Sequence, residues 1–151
     1  MKNKEKNKLA NLNEQNEAKA ISWIKEIIDE ASKEIGCEDF FFCLELATEQ
    51  PTRRNGAVAV MEIVENNPYR QAKIRLYPCA IPMYNSGNKE ILLMSLLHEL
   101  CHLKTNKIYD AAVDRFSSKD LIENLNEGLT DEISRLLEKV LKLKNPKKFK
   151  L

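Results

Sequence analysis

The stretch His98-Glu99-Leu100-Cys101-His102 decides how this chain is read. Its two histidines are the only ones in the sequence. Residues at i and i+4 lie on one face of a helix, so both imidazoles can reach a single metal ion. Glu99 lies about 100° round the helix from His98. It can flank such an ion and hold a bound water without ligating the metal. The H-E-x-x-H pattern needs these residue types at this spacing: two neutral imidazoles for the metal and a carboxylate for the water.

The flanking residues give the motif its setting. Leu92, Leu93, Leu96, Leu97, Leu100, Cys101 and Leu103 cover most of the circumference of a helix expected over Lys89–Thr105, which buries it on nearly every side. Ser95, His98, Glu99 and His102 fill the remaining arc as a polar notch. Buried polar groups must be satisfied, and a metal with its water would satisfy this set together.

Further from the motif, Leu9 to Ile35 has apolar residues at helical spacing (Ala20, Ile21, Ile24, Ile27, Ile28, Ala31, Ile35), with Gly36 placed to end the helix. Strands are expected over Phe40–Ala47, Ala57–Glu65 and Gln71–Tyr77, separated by turns at Gln50–Gly56 and Asn66-Asn67-Pro68. In the third, Ala72, Ile74 and Leu76 alternate with Lys73, Arg75 and Tyr77, which reads as a half-exposed strand at a sheet edge. Pro78 to Asn88 reads as a loop and Asn106 to Lys119 has no clear period. A last helix spans about Asp120–Lys144, N-capped by Ser117 or Ser118. Leu121, Ile122, Leu125, Leu129, Ile133, Leu136, Leu137 and Val140 form its apolar stripe, expected to face the core. The class is α+β, with helices on one small, mainly antiparallel sheet. A basic, flexible N-terminus (1–8), one domain (9–144) and a frayed basic tail (145–151) complete the layout.

Composition narrows the function classes. The 151 residues suffice for one domain with a core. A net charge of +1 provides no global field for nucleic acid or for an anionic membrane, so neither is expected as a partner. The start Met1–Lys8 is basic but no apolar run follows it, and no stretch could span a bilayer, so a cytoplasmic protein is expected. Cys37, Cys43, Cys79 and Cys101 form no CxxC pair. They read as free, mostly buried thiols in a reducing compartment.

Two histidines do not complete a catalytic zinc site, which needs three protein ligands and an open position. With no third histidine, an acid or a cysteine must serve, and the leading stretch is Asn126-Glu127-Gly128-Leu129-Thr130-Asp131. At this point HELCH and NEGLTD together resemble the gluzincins, the thermolysin-like clan of zinc metallopeptidases. There a second helix carries a pattern of the form N-E-small-x-S/T-D. The resemblance covers the layout of residues 40 to 140 and some eleven residues of motif. It implies a minimal, single-domain zincin of minigluzincin or phage type, with an N-terminal backing helix, an HExxH helix and a C-terminal helix. It also implies one Zn2+ held by His98, His102 and Glu127, with Asp131 and Asn126 accepting from the imidazole N–H groups. Gly128 would let the two helices approach. The sequence departs from the clan in its gap of 127 − 102 = 25 residues, longer than usual. It also lacks the large C-terminal subdomain and the oxyanion-stabilising residue that subdomain carries.

The implied activity is hydrolysis of a peptide bond by a metal-activated water, with Glu99 as general base. Tyr109 is the first candidate for the oxyanion donor, with Arg115 and Tyr84 as others. The substrate is expected to be an extended peptide lying antiparallel to Gln71–Tyr77. Two alternatives come from other classes: a deformylase-like hydrolase of small amides, with Cys79 as third ligand, and an inactive zincin fold that binds a partner.

Overall fold

The computed structural model describes residues 2–51, 58–66, 69–113, 119–146 and 149. Its elements run α1 (Lys2–Glu34), β1 (Phe41–Leu46), β2 (Met61–Asn66), β3 (Gln71–Leu76), α2 (Ala80–Asn85), α3 (Lys89–Val113) and α4 (Lys119–Lys144). The class is α+β, as the sequence predicts. The Asn55-Gly56 turn, most of Asn66-Asn67-Pro68, Arg115 and the Ser117/Ser118 cap lie outside the described residues.

α1 begins at Lys2 rather than Leu9 and ends where expected. Gly36 sits at φ +62°, the left-handed conformation glycine adopts at little cost. The Cys37 N–H then donates to the Ser32 carbonyl (2.7 Å) and the Gly36 N–H to that of Lys33 (3.2 Å), the two bonds of a Schellman stop. Lys104 Nζ donates to the Gly36 carbonyl at 2.8 Å and ties this end of α1 to α3.

The sheet corrects two expectations. Its strand order is β1-β3-β2, with β1 parallel and β2 antiparallel to β3, so the sheet is mixed rather than mainly antiparallel. β3 is the central strand and both of its edges are paired, so no extended peptide can add along Gln71–Tyr77. The alternation itself is real: Ala72, Ile74 and Leu76 are buried. It reports one covered face of the sheet and says nothing about the edges. On the open face Glu45, Arg75 and Glu62 form a charged ladder across all three strands, with Arg75 to Glu45 at 3.1 Å and to Glu62 at 2.6 Å.

α2 occupies a segment the sequence reads as a loop, and α3 runs on through Asn106 to Val113. α3 is the centre of the molecule, packed against α1, α2, α4 and β2. Leu92, Leu93, Leu96, Leu97, Leu100, Cys101 and Leu103 are all buried, joined by Ile24, Ile27, Met61, Ile74 and Leu76. α4 corrects the expectation for its stripe. Leu121, Leu125, Leu129, Leu136 and Val140 are exposed, whereas Thr130, Ser134, Leu137 and Leu141 are buried. The tail is not frayed throughout, since Phe149 is buried in the core. No helix among the described residues is long and apolar enough to cross a membrane.

Candidate metal centre

The notch on α3 forms because three side chains of one helix face, His98, Glu99 and His102, meet two other elements there. One is β2, whose backbone passes Glu99; the other is α4, whose Glu127 and Asp131 approach from the opposite side. Glu99 is buried, and the two imidazoles are 16% and 12% exposed, so water alone does not satisfy them.

His98, Glu99 and His102 bring ligand-type atoms within 4.8 Å of one another. The imidazole Nε2 atoms face each other at 3.0 Å. Glu127 straddles them, with Oε2 at 3.3 Å from the Nε2 of His98 and Oε1 at 3.4 Å from that of His102. Zinc–nitrogen bonds of 2.0–2.1 Å in tetrahedral array place neighbouring ligand atoms about 3.3 Å apart. The separations between the histidines and Glu127 are close to that value. The set therefore fits a divalent metal ion on spacing as well as on donor chemistry.

The tautomer of His98 follows from its other nitrogen. Asp131 Oδ1 lies 2.7 Å from Nδ1, and a carboxylate can only accept. In the neutral ring Nδ1 therefore carries the proton, and Nε2 presents its lone pair to the notch. On His102 the group near Nδ1 is the Thr130 hydroxyl, at 3.5 Å. Thr130 and Thr105 are both buried and share a hydrogen bond of 2.8 Å that joins α3 to α4. In the metal-free protein the carboxylate of Glu127 beside His98 raises the imidazole above its ordinary pKa. Burial opposes this, and Asp131 adds to it.

Glu99 has a fixed partner. The Ile63 N–H donates to its Oε2 at 2.9 Å. Tyr77 N–H donates to the Val60 carbonyl, so even-numbered residues of β2 turn their backbone groups toward β3 and odd-numbered ones turn away. Ile63 therefore lies on the side of β2 that pairs with no strand among the described residues, and that side faces the notch. A cavity of 330 Å³ opens on the His98 side, lined by Val58–Met61, Ser95, Glu99, Glu127 and Arg135 among others. A second, of 470 Å³, opens on the His102 side between Glu62, Ile63, Asn106 and Glu123. The two meet at Glu99 and Glu127, so the notch lies midway along a cleft between β2 and α4.

No family model, curated protein or solved structure matches the chain. What the site can do rests on its own geometry.

The remaining sequence candidates are placed as follows. The amide of Asn126 donates to Asn106 Oδ1 at 3.4 Å, and the group beside His102 Nδ1 is Thr130. Tyr109 is half-buried on α3 and lines neither cavity at the notch. Tyr84 packs on Trp23 at 5.6 Å and under Lys89, away from the cleft. The Cys79 thiol donates to the Ala59 carbonyl at 3.4 Å and lines neither cavity. Two participants escape a reading of the sequence. Thr130 stands inside the NEGLTD stretch, and its hydroxyl three residues after Glu127 was the available signal. The Ile63 backbone N–H carries no side-chain signature at all.

Proposed function

We propose that this protein is a zinc-dependent metallopeptidase of the gluzincin type. The observation that carries the reading is the meeting of Glu127 with both Nε2 atoms at 3.3 and 3.4 Å, with Asp131 behind His98. The ion would be held by His98, His102 and Glu127. When bound, it lowers the pKa of its water toward about 7 and polarises a substrate carbonyl. Glu99 receives the proton of that water and hands it to the leaving nitrogen. Asp131 keeps the His98 ring in the ligating tautomer. An extended peptide would lie along the outward edge of β2, where Met61 and Ile63 line the cleft.

Zinc titration beside peptide hydrolysis tests this. Glu127→Ala should lose most zinc affinity and Cys79→Ser should keep it. A chelator should abolish cleavage of a peptide library and zinc should restore it. The reverse pattern of binding, with the cysteine required, would move the protein to the deformylase-like class. Zinc binding without hydrolysis of any peptide would favour a binding module.

A further inference from the structure

The longest uncovered apolar surface lies on α4. Leu121, Leu125, Leu129, Leu136, Val140 and Leu143 are between 39% and 82% exposed. At 100° per residue they fall within an arc of about 100° and form one stripe along the helix. Thr130, Ser134 and Leu137 on the opposite side seat α4 on the domain, and Asp131 points to His98. The stripe therefore belongs neither to the core nor to the metal cleft. Contiguous exposed apolar surface of this kind marks an interaction site.

The charges on α4 select the occupant. Within the arc of the stripe the charged residues are Glu132 and Lys139. The other charged residues of α4 lie outside that arc: Asp131 points to His98, and Lys142 pairs with Glu138 of its own chain at 2.8 Å. A second α4 laid antiparallel sets Glu132 of each helix beside Lys139 of the other. A parallel one opposes like charges. We propose that two copies of this chain associate through an antiparallel α4–α4 contact, with the two-fold axis near Leu136. That axis places Leu129 of one copy against Leu143 of the other, because their numbers are symmetric about 136. It also places Glu132 beside Lys139 of the second copy. Both charged residues lie within the same arc as the leucines. Because α4 ends at Lys144, the overlap starts at Gly128 and leaves Leu121 and Leu125 outside it; a contact this short is below the size of permanent interfaces, so the dimer is reversible.

Sedimentation velocity of the full chain, from micromolar to about 0.5 mM, tests the contact. The wild type should pass from 17.4 kDa monomer to dimer over this range. Leu136→Glu sets two carboxylates face to face at the axis and should weaken the dimer by at least about 100-fold. Its far-UV circular dichroism and melting temperature should be unchanged, because Leu136 is 61% exposed. Glu132→Lys should weaken association, and Glu132→Lys combined with Lys139→Glu should restore it. A wild type that stays monomeric at the highest concentration overturns the proposal, even if the stripe captures an amphipathic helix of another protein. So does a folded Leu136→Glu protein that dimerises like the wild type, or a double charge swap that fails to rescue.

Discussion

α3 and α4 lie side by side and are nearly equal in length, 25 and 26 residues, yet they use their leucines in opposite ways. Over residues 92–103 α3 is apolar on most sides, and that surface is interrupted at Ser95, His98, Glu99 and His102. Because burial surrounds most of it, the interruption becomes a positioned set of ligand-type atoms at the floor of the cleft. α4 is strongly amphipathic, yet much of its apolar stripe faces outward, and Thr130 and Ser134 are among the residues that seat it. What docks α4 in the correct rotation is partly polar: the Thr130–Thr105 bond, the Asp131–His98 bond and the approach of Glu127 to both imidazoles. The helix that supplies most of the site is held by its greasy surface. The helix that completes the site is held partly by its chemistry, beside the buried Leu137 and Leu141.

The sharpest way to break this comparison is at Glu99, the one carboxylate of the α3 notch. Glu99→Gln conserves its shape and should keep the zinc. The amide cannot accept a proton, so peptide hydrolysis should fall by about 10²–10⁴-fold. Steady-state kinetics of the zinc-loaded variant, with its metal content measured alongside, checks this. Full retention of activity would remove Glu99 from the mechanism.

Next in size is the contrast in packing. Leu97→Ala on α3 removes a fully buried side chain and should destabilise the fold by about 2–5 kcal/mol. Leu136→Ala on α4 should change monomer stability by less than about 0.5 kcal/mol. Urea unfolding of the two variants at low protein concentration measures the difference directly. Equal losses would mean that the α4 stripe is covered within the monomer.

Asp131 tests whether α4 acts through α3. Asp131→Ala leaves the three proposed ligands in place and removes only the acceptor behind His98. Zinc affinity or activity should drop by about 10–100-fold. Asp131→Asn, which still offers an oxygen to Nδ1–H, should recover part of it. Identical zinc binding in wild type and Asp131→Ala would reduce the 2.7 Å bond to packing.

The smallest effect is on pH. In the metal-free protein the pKa of His98 is raised above its ordinary value, near 6.5, first by Glu127. The folded state thus holds the proton more tightly than the unfolded chain. The stability from this interaction is complete below the unfolded pKa and disappears as pH rises through the raised one. Zinc runs the other way, since it needs the deprotonated ring, and its affinity should climb over the same interval. Melting curves across that window, with and without zinc, should show the metal-free melting temperature falling and the zinc-induced gain growing. A metal-free melting temperature that rises instead would contradict the assigned pairing.

Sequence alone goes far where one element carries its own explanation. The His98–His102 spacing, the all-round leucines of α3 and the stop at Gly36 are local facts, and the structure keeps each of them. It goes wrong where a pattern has two physical causes. The alternation in β3 follows from a sheet covered on one face, and an edge strand or a central strand produces it equally well. The parallel pairing of β1 with β3 joins segments with β2 between them in sequence and leaves no local mark. An amphipathic stripe such as that of α4 states that an apolar surface needs cover, and does not say whether the same chain supplies it. Within the site, Glu127 and Asp131 were legible as a motif. The Ile63 amide and the Thr105–Thr130 stitch depend on tertiary placement.

The bond from the Ile63 N–H to Glu99 Oε2 also gives the site a built-in spectroscopic reporter. A backbone amide proton shifts its resonance when the carboxylate that accepts from it gains a proton or turns away. In a 15N-labelled sample the Ile63 cross-peak would follow the ionisation of Glu99 without any substrate. It would move again when zinc loads, and vanish into the variant's own pattern in Glu99→Gln. Because Ile63 sits on the edge of β2, the same peak would register a peptide settling into the cleft. One amide can thus time the order in which metal, proton and ligand arrive.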